Sequence, residues 1–319
     1  MIRGIPARVW AFDLEWVPDV RAGRLLLELP DSPTELEVME EMWRRGGATD
    51  DDPTPFLKMS ICRIVSVAVI ERRVRPDGSS SIALTSLPHD PQDPAQVREA
   101  SVIGTFLDAL GAHRPQLVGF NSRSSDLKIL LQRALILGLS APGFCSRPEK
   151  PWEGIDYFSN ASEAHVDLKE CIGGWGKAAP SLHELAVQSG IPGKLDVDGQ
   201  GVAELWLRGE LDRIVAYNEC DAVTTYLVWL RLAHLAGHLS DDGYVEAQRQ
   251  AWSLLAELAD RPHLVRYLQE WARLRSATGQ PPLSTDGSSP TPTTTSEPAS
   301  PEEPAGPSSS SVALKNEPE

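Results

Sequence analysis

Cysteine is scarce. Four residues in 319, Cys62, Cys145, Cys171 and Cys220, lie far apart with no CxxC pair among them. That spacing argues against a zinc module and against a disulfide framework. Long apolar runs are missing too: none reaches the roughly eighteen residues a membrane-spanning helix needs. The opening MIRGIPARVW carries no apolar signal region, so a reduced, cytoplasmic protein is the expectation. Basic charge is also short, with 30 Lys and Arg against 45 Asp and Glu and a formal net charge of -15. A protein that grips duplex DNA nonspecifically is expected to be basic, which counts against that class. The end of the chain holds part of the excess. Six acids between Ser276 and Glu319 face only Lys315, leaving -10 on residues 1–275. Any nucleic-acid contact must therefore be local.

What is present begins with VWAFDLEWVPD, Val9 to Asp19. The run Val9 to Leu14 reads as a buried strand with Asp13 and Glu15 at its C-terminal end. Residues i and i+2 on a strand share a face, so both carboxylates aim at one place. Two such charges repel unless one is protonated or a cation lies between them. A hard divalent ion such as Mg²⁺ resolves the conflict through oxygen ligands. A strand end that simply emerges into water is the alternative at this point.

Val20 to Lys58 is polar and punctuated by prolines, with one amphipathic helix at Glu35 to Arg45, and reads as an insertion over one end of a sheet. Ile61 to Glu71 and Ser81 to Leu87 are β-rich and flank the turn signal Pro76-Asp77-Gly78, so the first three strands are expected to pair antiparallel. Strands and helices then alternate: a helix over Pro94 to Leu110, a strand over Leu117 to Phe120, a helix over Ser125 to Leu137, a strand over Ala164 to Leu168 and a helix over Ser181 to Gln188. One long helix covers Leu211 to Leu235, with two more at Asp241 to Ala259 and Pro262 to Arg275. This pattern predicts an α/β fold with a mixed sheet flanked by helices and a helical C-terminal extension. The expected divisions are 1–240 for the sheet domain, 241–275 for the extension packed on it, and 276–319 for a disordered acidic tail rich in Pro, Ser and Thr.

Two further carboxylates stand out. In LVGFNSRSSD, Asp126 falls near the start of a helix, where the dipole and free N–H groups favour it, whether as a cap or as a ligand. In YNECD, Tyr217 and Asp221 are four apart on the long helix and project together, at the flank of its apolar stripe.

DLE at the end of a first strand, GFNSRSSD before a helix and YNECD within a late helix, in that order, resemble the three motifs of the DnaQ-like (DEDD) 3′–5′ exonucleases. A tyrosine four before the last aspartate, where the other branch has a histidine five before it, is similar to the DEDDy branch. FDLEWVPD, PFLKMSICRIVSVAV, HVDLKECIGGWG and SLHELAVQSGIPGKLDVDGQGVAELW look like the bacterial relatives of the B-family DNA polymerase exonuclease domain. The resemblance spans about residues 8–250. It implies a ribonuclease H-like fold and a phosphodiesterase that uses two Mg²⁺ or Mn²⁺ ions. Carried over, Asp13 would touch both ions, Glu15 and Asp221 would complete the site that activates water, and Asp126 would help hold the second ion. Tyr217 would orient the attacking water, since a phenol of ordinary pKa near 10 is a poor base at neutral pH.

Trp16 stands where the family usually has Thr; it could stack on a terminal base, a contact worth about 1–3 kcal/mol in single-strand binders, or pack in the core. Ser125 replaces a common aromatic. Asn121 is a candidate substrate contact and Lys194 a candidate phosphate contact; Arg123 and Lys128 could steady phosphate but read first as a solvated face. Asp196, Asp198 and Gly199 resemble a calcium loop but lack its closing Glu spacing. His165 and His183 are not at ligand spacing and are expected to pack; Arg72, Arg73 and Arg75 read as a strand end or a strand guide. The expected partner is single-stranded nucleic acid, DNA before RNA, in repair or proofreading. No polymerase sequence follows, so the expectation is action alone or with an unidentified partner. The rival classes are an exoribonuclease and a non-catalytic nucleic-acid-binding protein with the same fold.

Overall fold

A computed structural model of the chain describes residues 2–150, 152–173, 179–195 and 201–283. The first strand, β1 (Arg8–Pro18), is followed by α1 (Val20–Leu27), capped by the Asp19 carboxylate, and by α2 (Glu35–Gly46), which opens on a Thr34–Glu37 capping box. A single 3-10 turn, Met59–Ile61, leads into β2 (Cys62–Val74) and β3 (Ser80–Leu87). Then come α3 (Glu99–His113), β4 (Gln116–Gly119), α4 (Asp126–Ile136), the short α5 (Pro142–Cys145), β5 (His165–Asp167) and α6 (Leu168–Ile172). After α7 (Leu182–Gln188) and α8 (Gly201–Leu207), three helices close the fold: α9 (Leu211–Leu235), α10 (Asp241–Glu257) and α11 (Pro262–Ala277).

The sheet order is β3-β2-β1-β4-β5. β1, β2 and β3 form the expected antiparallel meander, and β4 and β5 extend it in parallel with β1. This order and these directions make the mixed sheet ribonuclease H-like. Alternation along β1 explains how both faces are covered. Val9 and Ala11 pack in one cluster with Val223, Leu227 and Leu230 of α9. Trp10, Phe12 and Leu14 pack in another with Phe106 of α3 and Leu130 of α4. A strand buried on both faces reads as a nearly continuous apolar run, as this one does. Asp13 and Glu15 continue the Val9–Ala11 side, so their carboxylates face α9.

Several boundaries differ from the sequence expectation. β1 does not stop at Leu14 but runs to Pro18 through a register shift between Glu15 and Trp16. A bulge of this kind re-aims side chains beside a site. The third helix begins at Glu99 rather than Pro94, because the carboxylates of Asp90 and Asp93 accept the Gln92 and Ala95 N–H groups and hold that stretch in turns. α1 is an additional helix within the insertion. The insertion covers one end of the sheet as expected, with Met39 and Trp43 of α2 packed beside Val17, Val202 of α8 and Ile214 of α9.

α10 and α11 lie in the same compact unit as the sheet. Thr224 of α9 links α11 to the Pro192 segment: its hydroxyl donates to the Pro192 carbonyl (3.0 Å) and accepts from Tyr267 (2.9 Å). α11 ends at Ala277, two residues past the expected end, and beyond it Gln280 Nε2 donates to Ser189 O at 2.9 Å. The acidic stretch 284–319 and the Asp196–Gly199 fragment lie outside the described residues. Among the described residues no helix is long and apolar enough to cross a membrane.

Candidate active site

The C-terminal half of β1, the loop after β4, and α9 converge on one cavity of about 790 Å³, and α6, α7 and the Gly193–Lys194 segment complete its wall. Asp13, Glu15, Trp16, Asn121, Asp126, Lys194, Tyr217 and Asp221 all line it. Carboxylate oxygens of Asp13, Glu15 and Asp221 lie within 4.8 Å of one another. Asp126 shares the cavity but stands outside that tight group. Its carboxylate takes the Leu14 N–H, from the residue between the two β1 acids, and lies 2.6 Å from the Ser125 hydroxyl. The serine that replaces an aromatic thus holds the carboxylate beside it.

Burial is the first reason these acids resist ionising, and for Asp13 and Glu15 repulsion from neighbouring carboxylates is the second. The Asp13 carboxyl is raised well above its usual value by burial, then by Glu15, Asp126 and Asp221, and the Lys194 ammonium only partly offsets this. Glu15 is raised for the same reasons, with Asp221 its strongest neighbour. Burial pushes Asp126 up to about 6 against the Ser125 hydrogen bond. Burial raises Asp221 to about 6 as well, restrained by a hydrogen bond from Tyr217 and by the Lys194 ammonium. Burial and the three carboxylates around it push the Tyr217 phenol far above its usual range. It therefore stays protonated at neutral pH and donates to Asp221.

The four carboxylates form an all-oxygen donor set whose negative charge the Lys194 ammonium only partly offsets. Such a set suits hard divalent cations and suits soft metals poorly. Asp13, Glu15 and Asp221 could hold one such ion between them, and Asp126 lines the same cavity.

The loop that carries Asp126 is held by β5. Asp167, 2% exposed, accepts the Asn121 N–H on one oxygen and the Arg123 N–H on the other, both at 2.9 Å, and also caps α6 through the Lys169 N–H. Asn121 adopts φ +62, a left-handed conformation that asparagine tolerates. His165 is buried and neutral, its pKa pushed down to about 3 by burial, and pairs with the Ser122 hydroxyl at 2.8 Å, so it packs as expected. His183 is not packed in the core as expected: it is exposed and lines the cavity.

Sequence reasoning missed Asp167, whose visible signal was only a helix-cap pattern, and missed Phe56, a cavity-lining ring that is 84% exposed. Arg123 is tied to Glu170 and the His165 carbonyl, and so faces away from phosphate duty. Arg72 and Arg73 pair with Val9 and Arg8 at the far end of β1, away from the cavity. Trp16 packs on the α3–α4 core, as one of its two expectations had it, and it also lines the cavity.

A family model described as a predicted 3′-5′ exonuclease related to the exonuclease domain of PolB matches residues 54–271. That span includes Asp126, Lys194, Tyr217 and Asp221; Asp13 and Glu15 precede it. No curated protein matches the chain. Among solved structures, it is similar to the family B DNA polymerase from the hyperthermophilic archaeon Pyrobaculum calidifontis, at 20% identity and a TM-score of 0.37. That similarity covers 78% of this chain and 29% of the polymerase, so the chain spans less than a third of it.

Proposed function

Because the chain belongs to the family of predicted 3′-5′ exonucleases related to the exonuclease domain of PolB, we propose that it removes nucleotides from the 3′ ends of single-stranded DNA with the help of two divalent ions, Mg²⁺ or Mn²⁺. The observation that carries this reading is the meeting of Asp13, Glu15 and Asp221 within 4.8 Å, with Asp126 on the same cavity. Asp13 would contact both ions, Glu15 and Asp221 would complete one site, and Asp126 would help hold the second. Bound there, the pair would supply an acidified water and charge stabilisation for the attacking and leaving oxygens of an in-line displacement.

The remaining work falls to the chain itself. Tyr217 keeps its proton and donates to Asp221, so its oxygen is free to accept from the attacking water and fix its direction. Lys194 draws the backbone phosphate toward an otherwise anionic cavity. Asn121 offers its amide from the Asp126 loop, and Trp16 offers an indole face to the terminal base.

The test is digestion of a 3′-labelled strand in Mg²⁺ or Mn²⁺, with matched linear DNA, circular DNA and RNA run together. The expected result is stepwise shortening of linear DNA only. Cleavage of the circle would make the enzyme an endonuclease, and faster loss of RNA would reassign the substrate. No cleavage of any strand would leave the non-catalytic reading standing.

Asp167→Ala is expected to lower cleavage about 10–100-fold, the loss typical when an outer-shell partner of a metal ligand is removed. The loss should appear mainly as a higher Mg²⁺ concentration for half-maximal rate, because the loop carrying Asp126 is released. An unchanged Mg²⁺ titration would show that Asp167 serves only its helix cap.

A further inference from the structure

His183 sits on the wall of the cavity without a part in the reading above. The Lys194 backbone N–H donates to His183 Nδ1 at 3.1 Å. An N–H can only donate, so Nδ1 must accept, and the neutral ring therefore carries its hydrogen on Nε2. The Gly193 backbone runs tightly over the ring: a Cβ added there would lie 2.2 Å from Nδ1. The ring is thus fixed in orientation by two consecutive residues of a facing loop. It also lies close to Asp221 on the cavity wall, while the neighbouring Lys194 ammonium acts on Asp13, Glu15 and Asp221 together. An exposed histidine with one nitrogen committed and the other presenting a hydrogen beside an acidic cluster is built to donate to an anion.

We propose that His183 is a substrate-contacting residue of this reaction, its Nε2–H donating to a non-bridging oxygen of the phosphate that is cleaved. The proposal rests on the exonuclease reading. A phosphodiester brought against four carboxylates needs donors on the facing side, and the His183–Lys194 edge supplies two of different kinds. Lys194 contributes a charge. His183 contributes a neutral, oriented hydrogen bond that adds no repulsion toward bound cations. The bond strengthens as negative charge builds on the phosphate oxygens during displacement, so it stabilises the transition state more than the bound strand.

A chemical comparison of three variants tests this. The amide of Gln reaches the position of Nε2 and can donate there, but offers nothing at Nδ1. The amide of Asn reaches the position of Nδ1, where its oxygen can accept the Lys194 N–H, but offers nothing at Nε2. Cleavage of a 3′-labelled single strand by His183→Ala is expected to fall about 10²-fold in kcat, the scale for losing one donor to developing charge. His183→Gln should recover at least tenfold of that loss, and His183→Asn should stay with Ala. Recovery by Asn and not by Gln would overturn the proposal, leaving His183 as a prop for the Lys194 loop; wild-type rates in all three would overturn it too. Binding of the same oligonucleotide in Ca²⁺, followed by fluorescence anisotropy, separates the two readings. If the wild type binds without cleaving, the exonuclease reading fails, and the order Gln above Asn in affinity still decides for or against the His183 contact. If the wild type neither binds nor cleaves, both fail.

Discussion

Asp13→Asn is expected to reduce 3′-end cleavage by about 10³-fold or more while raising the melting temperature of the metal-free protein. Metal-ion charge stabilisation is worth several kcal/mol, and each 1.36 kcal/mol is a factor of about ten in rate. Asp13 is the carboxylate assigned to both ions, so its loss should remove most of that contribution. The stability gain has the same origin. Asp13 is half-buried and raised well above its usual value by burial and by Glu15, Asp126 and Asp221, so its ionised form is unfavourable in the empty site. A carboxyl whose folded pKa is raised leaves the native state holding more protons than the unfolded chain. Its destabilising effect is absent below the ordinary Asp value of about 3.9 and grows as pH rises through the raised folded value. The variant's advantage should therefore vanish near pH 4 and be largest above pH 7. Saturating Mg²⁺ should reverse the order: binding at a hundred times Kd adds about 2.7 kcal/mol to the wild type and far less to the variant. Thermal unfolding in EDTA and in Mg²⁺ at pH 4, 6 and 8 measures this. A variant less stable than wild type in EDTA at pH 8 would remove the basis for a repulsive cation site.

The same residues show how far the chain could be read without coordinates. Asp13 and Glu15 were legible because strand periodicity depends only on local backbone, and α9 was bounded correctly at Leu211 and Leu235 because its apolar pattern is unbroken. Asp126 and Asp221 could be named individually, but only the order of motifs placed them with Asp13. α1 escaped because Leu25 and Leu26, 70% and 65% exposed, do not announce a buried face. Asp167 escaped for another reason. The N–H groups it collects come from Asn121 and Arg123, more than forty residues away, and from its own helix. No local pattern encodes such a junction. The tautomer of His183 is equally invisible, because it is set by a backbone N–H across a loop. Periodicity and caps report on neighbours in sequence, whereas positioning residues are defined by neighbours in space.

A different long-range junction should govern stability. Arg133→Met is expected to cost about 3–5 kcal/mol, the range for removing one partner of a buried ion pair. Arg133, 3% exposed, reaches Glu99 with Nη2 at 2.6 Å and Nε at 2.7 Å, and Asp19 with Nη2 at 2.7 Å. Glu99 also accepts the Ile64 N–H at 2.8 Å, and Asp19 caps α1. One guanidinium thus joins α4, the first residue of α3, the start of β2 and the entry to the insertion. Without it, two carboxylates stay buried with no cation between them, and that penalty exceeds the loss of the bonds themselves. At about 2–4 °C per kcal/mol for a domain of this size, the melting temperature should fall by roughly 10 °C. Adding Glu99→Gln should return a large part of the loss, since the amide oxygen still accepts from Ile64 while one stranded charge disappears. Asp126 opens α4 and Arg133 lies seven residues on, about two turns along the same side. Loosening that helix should therefore also raise the Mg²⁺ needed for cleavage at temperatures where the variant remains folded. If Arg133→Met melted within a degree or two of wild type, the buried charges would have to be relieved by water, and this junction would not be what seats the helix that carries Asp126.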